Sequence, residues 1–293
     1  MVGKEEFEAL ILAAGSSSRF RSVDGKFKKC FLKLRNSNIL GYIIVGMIKS
    51  GITRIKIVTS KIISNLKYKK KVLKSIGHPW RDTVDLKLEI IENNYPEREN
   101  GYSLLLGLNS IRSENTLLAM ADHVFSQNIF STMIKNYREE DIFLATDPMN
   151  SKGIYRDIGD ATKVFGEGSS IFSLGKGLKN YNRLDMGVFI LKTKNIRKIC
   201  KKVESIYNKF GVTSVVLSAI NLDLNIKYID FPSIIWLDID NYKKYHLMEK
   251  LFNKSSKIHP FGLSVKDYLN YIYKKNFMRR KLKLNKKNKR GII

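Results

Sequence analysis

The sequence predicts an α/β fold: a doubly wound, mostly parallel mixed sheet with helices on both faces and a small antiparallel region. Three observations predict it. Short apolar or β-branched runs alternate with helical stretches up to residue 146, and turns rich in Gly, Ser and Asn separate them. After residue 157 the helices give way to short strands joined by Gly turns. The composition, 43% hydrophobic and 11% aromatic, is typical of a globular protein with a large core.

The first half of the chain supplies the predicted parallel strands and their crossover helices. Strands are expected at residues 8–14, 54–60, 86–91, 117–121 and 142–146. Helices are expected between them at residues 39–50, 61–76, 100–111 and 129–137. Gly51 directly follows the first helix, which is typical of a C-terminal cap. Right-handed crossovers then place the carboxyl ends of these strands at one edge of the sheet.

The second half supplies the predicted antiparallel region. Strands are expected at residues 161–166, 171–175, 186–192 and 227–230, and helices at residues 195–209, 213–220 and 241–252. Neither an internal repeat nor a long linker precedes residue 253. We therefore expect one domain over residues 1–253, followed by a basic extension over residues 254–293.

The charge is unevenly distributed. The 293 residues include 53 Lys and Arg against 27 Asp and Glu, a net charge of +26. Ten basic residues and no acidic one lie between Lys274 and Arg290. Such a segment can attract an anionic surface, although a solvated terminus is an equal alternative.

The remaining composition limits the class of protein. Two cysteines, Cys30 and Cys200, exclude a disulfide scaffold and lack the spacing of metal ligands. The apolar stretch at residues 39–48 is shorter than the roughly 20 residues that span a bilayer. The N-terminus lacks a basic-then-apolar export signal. We expect a cytoplasmic protein, with peripheral membrane association through the basic extension as an open alternative.

A turn of small residues follows the first predicted strand. It consists of Ala13, Ala14, Gly15, Ser16, Ser17 and Ser18. Small side chains let phosphate oxygens approach the backbone amides, although the spacing matches neither the dinucleotide nor the P-loop glycine pattern. Arg19 can hold phosphates through its planar guanidinium, and one of the lysines that follow can neutralise a triphosphate. These are Lys26, Lys28, Lys29 and Lys33.

This turn carries a resemblance. Leu-Ala-Ala-Gly-x-x-x-Arg-Phe at residues 12–20, with a lysine after it, resembles the signature loop of sugar-phosphate and alcohol-phosphate nucleotidyltransferases. Ser17 stands where many members have Gly. The family's second element is usually Pro-Lys-Pro or Pro-Lys-Gly. Lys29 is its best match here, but the missing proline leaves Lys26 and Lys28 open.

Later segments resemble the same family in order. Residues 99–106 resemble its second nucleotide-contacting loop, residues 120–126 the strand end with a metal-binding aspartate, and residues 236–240 the second acidic site. Residues 160–189 follow the family's acceptor side. Over residues 8–253 the chain most resembles the archaeal-type CTP:inositol-1-phosphate cytidylyltransferases. The resemblance implies a Rossmann-like sheet of the nucleotidyltransferase (GT-A-like) type.

The resemblance also implies roles for individual residues. The catalytic cations are Arg19 and Lys29. The metal ligands, for Mg²⁺, are Asp122 and Asp238, with Asp240 as support or alternative ligand. The nucleotide contacts are the small-residue turn together with Asn100, Gly101 and Ser103. The acceptor contacts are His123, Lys163 and Asp185.

Elementary chemistry supports the aspartate pair and leaves three alternatives open. Mg²⁺ prefers carboxylate oxygens, and Asp122 follows an apolar strand at the sheet edge where ligands bind. Asp240 can equally cap the next helix, and Asn100 can cap its own helix. His123 can be structural rather than a ligand of substrate phosphate.

The implied reaction transfers CMP from CTP to a polyol phosphate, with inositol 1-phosphate as the best match, and releases pyrophosphate. The alternative is a sugar 1-phosphate or phosphocholine acceptor with UTP, TTP or CTP. A basic nucleic-acid-binding protein on an inactive fold is a remote alternative, because the acidic and basic site residues are intact. The basic extension is expected to dock on an anionic membrane surface or on a separate membrane CDP-alcohol transferase.

Overall fold

The computed structural model describes residues 7–15, 17–20, 28–60, 65–77, 80, 85–150 and 158–253. Ser16, Lys26 and the predicted basic extension lie outside these residues.

Thirteen strands form in the described ranges. They are β1 (Phe7–Ala13), β2 (Lys33–Leu34), β3 (Ser37–Asn38), β4 (Arg54–Ser60), β5 (Lys87–Asn93), β6 (Asn115–Met120), β7 (His123–Phe125), β8 (Ile142–Pro148), β9 (Lys163–Glu167), β10 (Ser170–Gly175), β11 (Arg183–Lys192), β12 (Ile226–Asp230) and β13 (Trp236–Asp238). Nine of them form one sheet in the order β5-β4-β1-β6-β11-β8-β12-β10-β9.

Seven α-helices connect these strands within the same ranges. They are α1 (Ile39–Lys49), α2 (Asn65–Ile76), α3 (Glu99–Ser110), α4 (Ile129–Asn136), α5 (Thr193–Ile206), α6 (Val212–Ile220) and α7 (Tyr242–Met248). A π-helical turn, Glu249–Asn253, continues α7, so the helix predicted at residues 241–252 changes its hydrogen-bond pattern near its end.

One half of the sheet is parallel, as the alternating pattern predicts. β5, β4, β1 and β6 are neighbouring parallel strands. Every residue of β1 is buried, because helices cover both of its faces. The carboxyl ends of these strands share one edge, where the small-residue turn and the start of β7 lie.

The other half is more antiparallel than predicted. β11 lies between β6 and β8 and is antiparallel to both. β10 lies between β9 and β12 and is also antiparallel to both of its neighbours. The mixed sheet is confirmed, but five of its nine pairings in the described residues are antiparallel. The short strands therefore complete the main sheet instead of forming a small separate region.

Two apolar layers confirm the prediction of helices on both faces. One layer packs α1, α2 and α4 against the sheet, and the other packs α3, α5 and α6. Gly107 permits the close approach of α3, since a Cβ at this position would lie 2.4 Å from the side chain of Leu10.

A second, much smaller ladder lies outside the main sheet. β7 and β13 pair antiparallel, with Trp236 opposite Phe125 and Asp238 opposite His123. The indole Nε1 of Trp236 donates to Asp147 Oδ2 at 3.1 Å, which ties this ladder to β8. No helix within the described residues is long and apolar enough to cross a membrane.

Candidate active site

The small-residue turn begins where β1 ends, at the carboxyl edge of the sheet. Residues 13–15 lead to a 3₁₀ turn at Ser18–Phe20. Ser17 has φ +55°, a left-handed conformation that favours glycine. The Ser17 Oγ accepts a hydrogen bond from the backbone N–H of Lys29 at 3.1 Å. The serine therefore fixes the segment that contains Lys28 and Lys29, here called the lysine segment, against the turn.

A cavity of about 300 Å³ opens beside this turn. Its lining includes the turn, the lysine segment and the start of α3, namely Ala13, Ala14, Gly15, Ser17, Lys28, Lys29, Pro96, Glu99, Asn100, Ser103 and Asp122. The Ser103 Oγ accepts a buried hydrogen bond from Asn93 at 2.9 Å. Small side chains and two ammonium groups at one end suit the phosphates of a nucleotide.

Lys28 and Lys29 reach different partners in this cavity. The Lys28 ammonium donates to Ser60 Oγ, and burial lowers its pKa. The Lys29 ammonium pairs with the carboxylate of Asp122. Burial opposes the charged form of Lys29, but the nearby carboxylates outweigh it and raise its pKa. The position of Lys29 next to Asp122 favours it as the signature lysine.

Asn100 and Gly101 have structural partners at the start of α3. The Asn100 Oδ1 accepts a hydrogen bond from Val212 N at 2.9 Å. Asn100, which lies far from α6 in sequence, therefore caps the N-terminus of that helix. Its predicted alternative role as cap of its own helix is wrong, because α3 begins at Glu99. Gly101 packs against Phe210, whose ring would lie 2.4 Å from an added Cβ. Asn100 lines the cavity and Gly101 does not.

The β7–β13 ladder brings the two predicted metal ligands together. Asp122 immediately precedes β7, and the register places Asp238 opposite His123. The His123 Nδ1 donates to Asp122 Oδ1 at 2.9 Å, and its ring stacks on Trp236 with centroids 6.0 Å apart. Its Nε2 faces Gly187, where an added Cβ would approach to 2.8 Å. His123 is therefore held on both sides by its neighbours, at the edge of the site.

The pKa values of Asp122 and Asp238 are shifted in opposite directions. Burial alone would raise the pKa of Asp122, but the Lys29 ammonium and the His123 hydrogen bond outweigh it and hold that pKa well below its usual range. Burial and the charge of Asp122 raise the pKa of Asp238. Asp238 thus lacks a cation that would fully offset its charge.

The donor atoms around Asp238 fit a divalent metal ion. Its Oδ1 is buried and accepts no hydrogen bond from the residues described. Two sets of ligand atoms that share this residue each lie within 4.8 Å of one another, namely Asp122, His123 and Asp238, and Asp160, Asp238 and Asp240. An orphaned carboxylate oxygen next to further carboxylates is the environment that Mg²⁺ prefers when it also binds substrate phosphates.

Asp240 is held by cations and does not cap a helix. The Arg19 guanidinium pairs with Asp240 and, at 3.0 Å, with Asp160. The Lys244 ammonium, 4% exposed, lies 3.1 Å from Asp240 Oδ1. The cap of α7 is Asn241, whose Oδ1 accepts from Lys244 N at 3.0 Å. The predicted capping alternative for Asp240 is wrong, and Arg19 lies against acidic residues.

A second cavity, of about 140 Å³, lies on the other side of the aspartates. Its polar lining consists of Asn100, His123, Asp160, Thr162, Lys176, Asp185, Thr213, Asp238 and Lys244. The Asp185 Oδ1 accepts from Gly187 N at 2.7 Å, where φ of Gly187 is +70° and the register of β11 shifts. Burial raises the pKa of Asp185 to about 6, against the effects of this hydrogen bond and of His123.

Lys163 lies outside the lining of both cavities. It is 8% exposed and donates to Gly159 O at 3.3 Å, so the structure places it beside the predicted acceptor site and not in it. The sequence reasoning missed Lys176, which lines the second cavity and lies 2.8 Å from Asp160. It also missed Lys244, although its spacing of four residues from Asp240 is a recognisable helical ion pair.

Comparison with known proteins decides the family. A family model described as the MobA-like NTP transferase domain matches residues 9–156, just over half of the 293 residues. The chain belongs to this family. The predicted nucleotidyltransferase class is thereby confirmed. The matched region, residues 9–156, includes the small-residue turn and Asp122 but ends before Asp238.

Two relatives of this MobA-like protein are named bifunctional IPC transferase and DIPP synthase. The one from Aquifex aeolicus is 25% identical over 248 residues, which are 85% of this chain and 52% of the relative. The one from Thermococcus kodakarensis is 28% identical over 233 residues, which are 79% and 47%. The chain spans about half the length of these relatives.

A solved structure has a similar fold over most of both chains. The inositol-1-phosphate CTP transferase from T. maritima superposes with a TM-score of 0.69 at 27% identity. The match covers 83% of this MobA-like chain and 95% of that one. The nucleotidyltransferase type of fold is thereby confirmed.

Proposed function

We propose that the chain transfers CMP from CTP to a polyol phosphate, with inositol 1-phosphate as the best candidate, and releases pyrophosphate. The observation that carries the proposal is the position of Asp122 and Asp238 between two cavities. One cavity has the small-residue turn and lysines that suit a triphosphate, and the other has polar groups that suit a hydroxylated phosphate. The similarity to the T. maritima transferase supports this pair of substrates.

The first cavity would bind the nucleotide. The backbone of the turn at Gly15 and the Lys28 ammonium would hold the triphosphate, while Ser103 and Asn100 would contact the ribose or base. Lys29 would stabilise the charge that grows on the bridging oxygen as the α-phosphorus is attacked. Arg19, 57% exposed on the same turn, would leave its acidic partners and contact the phosphates.

Asp122 and Asp238 would hold Mg²⁺, which when bound neutralises triphosphate oxygens and favours their alignment. The orphaned Oδ1 of Asp238 supports this assignment. Lys244 and Lys29 would keep the surrounding carboxylates ionised and in place.

The second cavity would bind the acceptor. Lys176 and His123 would hold its phosphate, and the Asp185 carboxylate would accept hydrogen bonds from its hydroxyl groups. A phosphate oxygen of the acceptor would form the new bond to the α-phosphorus as the bond to pyrophosphate breaks. The attacking phosphate is already ionised, so no general base is required.

A panel of nucleotides and acceptors tests this proposal. CTP, UTP and TTP would each be combined with inositol 1-phosphate, glucose 1-phosphate and phosphocholine, and pyrophosphate release measured with Mg²⁺. We expect the highest kcat/KM for CTP with inositol 1-phosphate, and a turnover lower by orders of magnitude in the Asp238→Asn variant. A different preferred pair would change the substrates but keep the class. Salt-dependent RNA or DNA binding without pyrophosphate release would contradict the class.

A further inference from the structure

The hydroxyl proton of Ser103 has no acceptor among the described residues. Ser103 is 2% exposed and lines the first cavity from α3. Its Oγ accepts from Asn93 Nδ2, and the Asn93 Oδ1 accepts from Tyr95 N at 2.8 Å. Because a backbone N–H can only donate, the bond from Tyr95 fixes the orientation of the amide and turns its Nδ2 towards the serine. The Ser103 hydroxyl is therefore free to donate its proton to a molecule in the cavity.

A carboxylate without a partner lies four residues before Ser103. Glu99 also lines the first cavity, and its side chain forms neither an ion pair nor a hydrogen bond with any residue that the structure describes. Its backbone has φ +70° and ψ −175°, a region that is almost restricted to glycine. Hydrogen bonds from Gly101 N to Phe210 O and from Phe210 N to Arg98 O hold the segment in place. The fold therefore keeps the Glu99 carboxylate at the cavity wall with its acceptor oxygens unused.

The sheet sets the distance between this wall and the small-residue turn. Asn93, which contacts Ser103, ends β5, and the turn follows β1. One strand, β4, separates β5 from β1. Since neighbouring strands are about 4.8 Å apart, the two strand ends are roughly 10 Å apart. A nucleotide with its phosphates at the turn would place its ribose within this span and its base beside Glu99 and Ser103.

We propose that Glu99 and Ser103 select cytosine over uracil in the first cavity. This inference rests on the proposed function, which places the triphosphate at the small-residue turn. The Glu99 carboxylate would accept a hydrogen bond from the 4-amino group of cytosine, and the Ser103 hydroxyl would donate one to N3. Uracil has a carbonyl oxygen at C4 and an N–H at N3. It would therefore set an acceptor against the carboxylate and a donor against the hydroxyl.

Adenine is the other base with an amino group next to an acceptor nitrogen of the ring. In a pyrimidine the six-membered ring is joined directly to the ribose, whereas in adenine the five-membered ring lies between them. The short span from β1 to β5 therefore favours cytosine. Binding of ATP is measured beside that of CTP to distinguish the two bases.

Calorimetric titration of the full chain with nucleotide and Mg²⁺, without acceptor, measures the dissociation constants and requires no turnover. The nucleotides are CTP, UTP, ATP and two analogues of CTP. One is 2-pyrimidinone ribonucleoside triphosphate, which lacks the 4-amino group, and the other is 3-deaza-CTP, which lacks the N3 acceptor. The parent should bind CTP most tightly. Loss of the amino group should weaken binding about 10–100-fold, because its hydrogen bond has a charged acceptor, and loss of N3 about 2–10-fold.

Each substitution should remove one preference and keep the other. Glu99→Ala should bind CTP and the 2-pyrimidinone analogue equally and still prefer CTP to 3-deaza-CTP. Ser103→Ala should show the reverse. If Ser103→Ala lowers the unfolding midpoint because Asn93 loses its acceptor, Glu99→Ala still tests the proposal, since Glu99 has no hydrogen-bond partner to lose within the described ranges.

Two matched controls come from the same region of the chain. Glu97 is an exposed carboxylate two residues before Glu99, and Ser110 is the last residue of α3. Neither lines the first or the second cavity. Glu97→Ala and Ser110→Ala should therefore keep both preferences of the parent.

Several outcomes would overturn the proposal. Tighter binding of UTP or ATP than of CTP would refute the choice of base, and a full preference for the amino group in Glu99→Ala would refute the role of Glu99. Equal losses in Glu97→Ala would reduce that role to a general effect of charge. If the preferences are found but no acceptor releases pyrophosphate, the proposed function fails and this inference stands. If CMP is transferred but Glu99→Ala keeps its preference, the inference alone fails, and absence of CTP binding would overturn both.

Discussion

Replacing Lys29 by alanine should lower kcat by about 10²–10³, because one preorganised group that stabilises developing charge is lost. Its ammonium pairs with Asp122, and the charges of Asp122, Asp238 and Asp240 raise its pKa despite burial. Lys29 is therefore charged throughout the neutral range. A factor of 10²–10³ corresponds to about 3–4 kcal/mol of transition-state stabilisation.

The same substitution should leave the fold intact. Lys29 and Asp122 are each 21% exposed, so their pair is partly solvated. Breaking a fully buried pair costs about 3–5 kcal/mol and an exposed one about 0–1 kcal/mol, so we expect a loss of roughly 1–2 kcal/mol here. Chemical unfolding measures this loss, and steady-state pyrophosphate release with CTP and acceptor varied separately gives kcat and KM.

Lys28→Ala is the matched control. Lys28 lines the same cavity but donates to Ser60, away from Asp122. Its loss should raise KM for CTP with a much smaller effect on kcat. Near-normal turnover of Lys29→Ala would refute the assignment, and a larger fall in kcat for Lys28→Ala would move the signature role to Lys28.

Three further substitutions test other parts of the site. Asp238→Asn should lower turnover by orders of magnitude and abolish the rise in unfolding midpoint on adding Mg²⁺; a retained rise would exclude Asp238 as a ligand. Ser17→Gly should be close to neutral in chemical unfolding, because relief of the left-handed strain offsets the lost hydrogen bond, whereas Ser17→Ala should cost about 1 kcal/mol. Asp185 has a pKa raised from 3.8 to about 6, so its ionisation makes the folded state less stable as pH rises through this interval. Asp185→Asn should remove that loss, and equal pH profiles for variant and parent would contradict it.

Local patterns predicted most elements of the fold. β4 has the bounds that its alternating β-branched residues predict, and α1 differs by one residue at its end. The pairing of β11 between β6 and β8 was not predictable, because hydrophobic periodicity identifies a strand but not its neighbours. Partner choice depends on contacts between residues far apart in the chain.

The site was predictable where a residue follows a strand or matches a motif. Asp122 satisfies both conditions, and the structure places it beside Lys29. Lys163 also follows the family pattern, but its side chain is buried against Gly159, which no local signal indicates. The position of Lys176 in the second cavity depends on how the turn after β10 packs. Such placement is tertiary and cannot be obtained from spacing alone.

The β7–β13 ladder makes the site visible by fluorescence. Trp236, one of two tryptophans, stacks on His123 and donates to Asp147, whereas Trp80 lies elsewhere, near Lys49. In a Trp80→Phe background, the emission of Trp236 would therefore report the environment two residues from Asp238. Assembly of the ladder and occupancy of its carboxylates could then be followed in real time, without substrate and without a label.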